Sequence, residues 1–295
     1  MKRKFTYTIC EPDHQLRTEL FLRRHGYSAH LLTQLKKSAE YLQRNGRPCR
    51  LKEILSSGDL LTVVIPEEPS SSQLTPILLP LDIPYEDDDI LIVNKPAGLP
   101  IHPSAGNASY SLANALTGYF NNRQETFIFR CCNRLDRDTS GLTVVAKHML
   151  SASLLSDMSV HHKIQREYLA IVKGHITPSS GTICAPLSRK PGPVLERVVD
   201  FTAGEPAVTH YQVLNEKNGY SLVSLRLETG RTHQIRIHMK FLGFPLIGDY
   251  LYNPDMEVIH RQALHSFCLR FRHPVTGADM HFTAPLPEDM RRIIE

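Results

Sequence analysis

Asn133-Arg134-Leu135-Asp136-Arg137-Asp138-Thr139-Ser140-Gly141-Leu142 packs charges, hydroxyls and a glycine into ten positions, and an apolar, β-branched run at 142–146 follows at once. The run reads as a strand, and the polar stretch as the loop that leads into it. A carboxylate between two arginines, as Asp136 is, suits nucleophilic or base chemistry. The same residue types also make an ordinary surface turn with local ion pairs, so composition alone leaves both readings open.

Moving outward, short strand-like runs recur at 90–93, 168–172, 208–213, 222–227 and 268–271, and helical spacing is confined to 111–119, 149–159 and 232–241. Many strands, few helices and long loops predict an α+β domain built on a mixed, largely antiparallel β-sheet. Upstream, residues 66–80 hold four prolines and three serines and read as a semi-extended linker. Its presence sets the expected units at 12–68, 81–295 and a linker at 69–80, with few contacts crossing between the two domains.

The first unit has its own signals. Leu16, Leu20 and Phe21 recur at helical spacing up to Gly26, and Ser28 is placed to cap a second helix carrying Leu31, Leu32 and Leu35. Asn45-Gly46 then marks a two-residue hairpin turn, and Gly58-Asp59 a second turn before the β-rich residues 60–65. This order of helix, helix, hairpin and strand resembles the S4 RNA-binding domain, a small α/β module.

Hydrophobic residues at 41% and charged residues at 22% describe a folded globular chain and argue against disorder. No apolar run approaches the ~20 residues of a membrane span, and the first residues lack a signal-peptide core, so no membrane association is expected. Six scattered cysteines without a CxxC pair point to a reducing cytoplasm. Fifteen histidines include no HExxH, and neither a P-loop nor a GxGxxG occurs, so neither metal nor cofactor is expected. Residues 1–70 carry 12 Lys/Arg against 8 Asp/Glu and residues 129–295 carry 20 against 16, flanking an acidic stretch with 2 against 6. That asymmetry points weakly to a polyanionic partner, since most charge runs are solvated faces.

The loop at 133–142 does not stand alone. Lys95-Pro96-Ala97-Gly98-Leu99, Arg166-Glu167-Tyr168-Leu169-Ala170 and Thr229-Gly230-Arg231-Thr232-His233-Gln234-Ile235-Arg236-Ile237-His238 accompany it. Gly248-Asp249, Leu264-His265-Ser266 and Ala284-Pro285-Leu286-Pro287 follow in order. Over residues 82–290 the chain is similar to the RluA-type RNA pseudouridine synthases. The resemblance implies an isomerase that converts uridine in structured RNA to pseudouridine, with ribosomal RNA of the large subunit favoured over tRNA, acting as a monomer.

By resemblance, Asp136 is the catalytic aspartate, Tyr168 packs on the target base and helps move a proton, and Arg231 pairs with the aspartate. Arg134 fills the stack vacated when the base is flipped out. Lys95, Arg189, Lys190, Arg236 and His238 are candidates for phosphate contacts, as are Lys36, Lys37, Arg44 and Arg47 in the first unit. One departure is Asn133, where the family usually has histidine. It is expected to be a tuned substrate contact. The rival readings are a catalytically silent RNA-binding or ribosome-assembly factor of the same fold, and a zinc deaminase, whose H-x-E…P-C-x-x-C signature is missing.

Overall fold

The computed structural model describes residues 3–67, 74–103 and 108–295. In the first unit β1 (Lys4–Thr8) precedes α1 (Thr18–Arg24), α2 (Ala29–Leu35), β2 (Leu42–Arg44), β3 (Arg47–Pro48) and β4 (Leu60–Val64). The strands form one antiparallel sheet in the order β1-β4-β2-β3. The local signals act as expected. Gly26 takes φ +83° after α1, Leu31 N donates to the Ser28 hydroxyl at 3.2 Å, and Asn45 and Gly46 turn the hairpin at φ 52° and 75°. β1 adds residues ahead of position 12: Lys4 to Thr8 pair with Val64 to Leu60, and Phe5 and Tyr7 pack against the unit's core.

The second unit contains β5 (Asp82–Glu86), β6 (Ile90–Lys95), α3 (Leu112–Asn122), β7 (Ser140–Ala146), α4 (Met149–Val160), β8 (Gln165–Lys173) and β9 (Ser180–Cys184). There follow β10 (Leu187–Arg189), β11 (Arg197–Val199), β12 (Val208–Lys217), β13 (Tyr220–Leu227), α5 (Gln234–Phe241), β14 (Leu264–Arg272), β15 (Asp279–Thr283) and α6 (Glu288–Ile294). Nine of these strands make one sheet, ordered β5-β6-β7-β14-β8-β13-β12-β9 with β15 on β14, while β10 and β11 pair separately. Only β7 and β14 run parallel among the described pairings, so the sheet is mixed and largely antiparallel, as the sequence predicted. Alternation sorts β6 between two layers: Leu91 and Val93 join the core that contains Tyr168, whereas Ile90 and Ile92 join the one beneath α4.

The parallel crossing places the loop at 133–139. His265 pairs with Ser140 and Ser266 with Gly141. Gly141 has φ +107°, and a Cβ there would lie 2.2 Å from the Ser266 carbonyl oxygen, so glycine alone lets the strands approach.

The two units are not separated as the Pro/Ser-rich stretch suggested. Residues 69–73 of the expected linker lie outside the described residues, but Leu74 and Leu79 pack on the second unit's core, and Ile77 N donates to the Asn114 carbonyl at 3.2 Å. Met149 and Leu150 of α4 share a buried cluster with Leu31, Leu35, Leu61 and Val63. Leu154 presses on Gly26 so closely that a Cβ there would sit 2.2 Å from its Cδ2. Arg3 donates to both oxygens of Asp89 at 2.8 and 2.9 Å, and His148 Nε2 meets the same carboxylate at 2.8 Å. The expectation of few contacts across the boundary is therefore corrected. Apolar residues on α4 need cover from both sides, which local sequence composition did not reveal.

Candidate active site

The loop carrying Asp136 is held by buried polar groups on every side. Lys95 Nζ donates to the carbonyls of Pro96, Leu99 and Arg137 at 2.8, 2.8 and 2.9 Å. Burial pushes this ammonium down to about 7, with Asp138 and Asp136 acting against the shift. Arg261 Nη1 donates to the Asp138 carbonyl at 3.2 Å, and Gln262 Nε2 to the Thr139 hydroxyl at 3.3 Å. Asn133 is buried: its Nδ2 donates to the Leu142 carbonyl at 3.2 Å, and its Oδ1 accepts from Val144 N at 2.7 Å. It clamps the loop to β7, and its amide is spent there, which corrects the expectation of a substrate contact.

Asp136 faces α5, and the residue that holds it is Arg236. That guanidinium donates Nη1 to Asp136 Oδ2 at 3.0 Å and grips Asp249 bidentately, Nε to Oδ2 at 2.7 Å and Nη2 to Oδ1 at 2.6 Å. Burial opposes its charge, but the bonds to Asp249 and Asp136 raise its pKa above the ordinary arginine value. The rings of Tyr252 and Tyr250 lie 5.1 and 5.6 Å from its guanidinium carbon. Such a planar fork fixes orientation as well as charge, so the Asp136 carboxylate is aimed by a side chain that is itself immobilised.

The pairing assigned to Arg231 is thus corrected. Arg231 is exposed in the loop before α5, where its guanidinium pairs with Glu205 and its Nε donates to the Pro206 carbonyl at 3.2 Å. Arg236 lies five positions on, inside α5, and faces the loop at 133–139. Gln234 holds the entry to the helix: its Oε1 accepts from Arg231 N at 3.0 Å and from the Thr229 hydroxyl at 2.8 Å. His233 caps the helix in the left-handed region at φ 59°, with Nε2 3.9 Å from Asp136 Oδ2 and Nδ1 2.9 Å from the Tyr252 hydroxyl. Burial pushes the His233 imidazole pKa down.

Tyr168 stands on β8 opposite Leu225 and Ser266, and burial pushes its phenol pKa up. Together with Asp136, Arg134, Arg231, His233 and Arg236 it lines an open cleft. Arg134 is exposed at this cleft. Three of the candidate phosphate contacts are already committed elsewhere: Lys95 to its carbonyls, Arg236 to two carboxylates, and His238 to the Thr209 hydroxyl and the Ala185 carbonyl at 2.8 and 2.9 Å. Arg189 and Lys190 are exposed, Lys190 pairing with Glu196. In the first unit Lys36, Lys37 and Arg47 are exposed, whereas Arg44 donates to the Ile54 carbonyl at 2.7 Å. Asp87, Asp89 and His273 bring potential ligand atoms together, but Arg3 and His148 already engage Asp89, and Asp87 Oδ1 accepts two backbone N–H groups at 2.8 Å.

A family model described as RNA pseudouridylate synthase matches residues 89–241, which span the loop, β8 and α5. The chain belongs to this family. It is 43% identical over 270 residues to the uncharacterized RNA pseudouridine synthase YjbO of Bacillus subtilis, covering 92% of this chain and 95% of the relative. It is 38% identical to the ribosomal large subunit pseudouridine synthase D of Escherichia coli K12, covering 85% and 81%. Among solved structures, human RNA Pseudouridylate Synthase Domain Containing 1 superposes with a TM-score of 0.58 at 28% identity, over 74% of this chain and 86% of that one. The protein is accordingly an RNA pseudouridine synthase, an isomerase of the RluA type. No helix among the described residues is long and apolar enough to cross a membrane.

Proposed function

We propose that this pseudouridine synthase acts on large-subunit ribosomal RNA, with Asp136 as the catalytic carboxylate. The observation that carries the reading is the aimed carboxylate: Asp136 sits in one cleft with Tyr168, its Oδ2 held at 3.0 Å by the buried Arg236–Asp249 pair. The reaction is redox-neutral. The C1′–N1 bond of uridine breaks, the base turns, C1′–C5 forms, a proton leaves C5 and one arrives at N1. Asp136 starts the cleavage, by attack on the sugar or by proton abstraction, and Tyr168 packs on the freed base and helps move a proton. A uridine inside a helix must first be extruded, at a cost of a few kcal/mol. Exposed Arg134 offsets that loss by stacking in the vacated place.

The first unit works as an S4-like grip on the RNA, through exposed Lys36, Lys37 and Arg47, in a monomer located in the cytoplasm. Ribosomal RNA is favoured over tRNA because the E. coli relative is named for the large ribosomal subunit. A catalytically silent assembly factor is the weaker reading, since its one support was Asn133, and that side chain is a clamp within the fold. Carbodiimide primer extension on ribosomal RNA from cells with and without the gene is the test. A pseudouridine stop lost with the gene is the expected result; unchanged ribosomal stops alongside a lost tRNA stop would overturn the assignment.

A further inference from the structure

A second cleft opens beside the catalytic one. Leu227 lines both, and Arg166 lies against Gly230, where a Cβ would be 3.0 Å from its Nη1, one residue before Arg231. Strand register gathers the lining. Arg226 pairs with Glu167 on one side and His210 on the other, and Arg270 pairs with Gln165. The two carboxylates here already have partners: Ser224 Oγ donates to Glu167 Oε1 at 2.8 Å, and Glu228 Oε1 meets His210 Nε2 at 2.6 Å. Arg226 and Arg270 are exposed. Arg166 Nε is buried and has no hydrogen-bond partner among the described residues.

Arg166 keeps its positive charge and lines the groove, so its guanidinium adds to the charge that Arg226 and Arg270 place there. Three arginines in one groove that shares Leu227 with the catalytic cleft favour an anionic occupant. We propose that this cleft binds the phosphodiester backbone of the RNA strand adjoining the target uridine, with Arg166, Arg226 and Arg270 each meeting a phosphate. The proposal rests on the reading of the protein as acting on RNA. Guanidinium forks suit the paired oxygens of a phosphate, and contacts to the backbone set position without reading sequence. The groove thereby lengthens the footprint beyond the flipped nucleotide and holds the strand in register while the base is extruded.

The test uses the full-length double variant Arg226→Gln/Arg270→Gln, whose side chains are exposed and whose loss leaves the core intact. Its affinity for an unmodified transcript of large-subunit ribosomal RNA is measured across a potassium chloride series, beside wild type. Affinity at low salt should fall at least tenfold, and the log–log salt slope should flatten by roughly 0.7 to 0.9 for each lost contact. The paired change to lysine should keep most of the slope, and Arg166→Gln, if it melts like wild type, should remove one further contact. An unchanged slope, with or without weaker binding, would overturn the proposal. Pseudouridine formation on the same transcript is read separately: wild type that binds but does not modify it would sink the ribosomal assignment and leave the slope comparison standing.

Discussion

Around residues 133–139 the buried groups that hold the chain are Lys95, Asn133, Arg236 and Asp249, whereas between α4 and the first sheet they are Leu31, Leu61, Met149 and Leu150. The first set makes directional contacts of 2.6 to 3.3 Å. Each donor or acceptor there has one good position, and moving it strands a partner without solvation. The second set makes contacts of no fixed direction, whose free energy follows the area withdrawn from water. The difference separates two jobs. Polar clamps fix the angle of one carboxylate, and the apolar seam joins two units without setting any atom to a tenth of an ångström. Changes in the first region should therefore be read in the rate, and changes in the second in stability.

Asp136→Asn should give the largest effect. It keeps the shape and removes the charge, so isomerisation measured by tritium release from C5 should fall by at least about a thousandfold. RNA affinity should change little, because phosphate contacts supply most of it. Turnover above a tenth of wild type would remove Asp136 from the mechanism. Next comes the contrast within one motif. Arg236→Lys cannot hold Asp249 and Asp136 at once, and should cost about a hundredfold in the single-turnover rate. Arg231→Lys alters an exposed ion pair with Glu205 and should cost less than tenfold. A larger loss at Arg231 than at Arg236 would restore the pairing expected from the resemblance.

Much of this was legible in the sequence. The strands at 90–93, 168–172 and 222–227 and the helices near 111–119 and 149–159 all formed, because their apolar spacing and the Ser111 cap carry the signal locally. β10 and β11 are three residues each, and α6 lacks a side-chain cap, so none announced itself. At the site, Asp136 and Tyr168 line one cleft, and the partner of Asp136 is Arg236 and not Arg231. Both arginines belong to one basic motif, and which of them points inward depends on where α5 begins. His233 in the left-handed region fixes that start, a conformation that no spacing rule for helices anticipates. The role of Asn133 escapes local reading for a similar reason, since its partners on β7 lie nine to eleven positions away.

The third expected effect concerns pH. Burial pushes the His265 imidazole down to about 4. Its Nε2 lies 3.3 Å from the Ala284 carbonyl, so it donates there, and Nδ1 accepts from the Ser140 hydroxyl at 2.9 Å. An unfolded histidine titrates near 6.5, so between about 6.5 and about 4 the unfolded chain binds the extra proton. The contribution is present above about 6.5 and is lost as pH falls through that window, by about 2 kcal/mol at pH 5. His265→Gln keeps a donor and an acceptor but cannot titrate. Urea unfolding at about pH 7 and about pH 5 should show a smaller acid loss in the variant than in wild type. Equal losses would mean that His265 is not the residue that senses acid at the parallel crossing.

The smallest effect belongs to the seam. Leu154 is half-buried on α4 and reaches across to Gly26, so Leu154→Ala removes apolar contact between the units without touching a hydrogen bond. A fully buried leucine costs roughly 2 to 5 kcal/mol when truncated, and a half-buried one should cost about 1.5 kcal/mol. Because the seam's contacts are undirected, its neighbours Met149 and Leu150 can settle toward the space left behind. The loop at 133–139 is tied to β6, β7, α5 and residues 261–262, none of which contacts Leu154 through a described hydrogen bond. The single-turnover rate at saturating RNA should therefore stay within twofold of wild type while the urea midpoint drops. A tenfold loss of that rate in a variant that remains folded would show that α4 transmits strain to the carboxylate, and the division between a region that aims and a region that joins would fail.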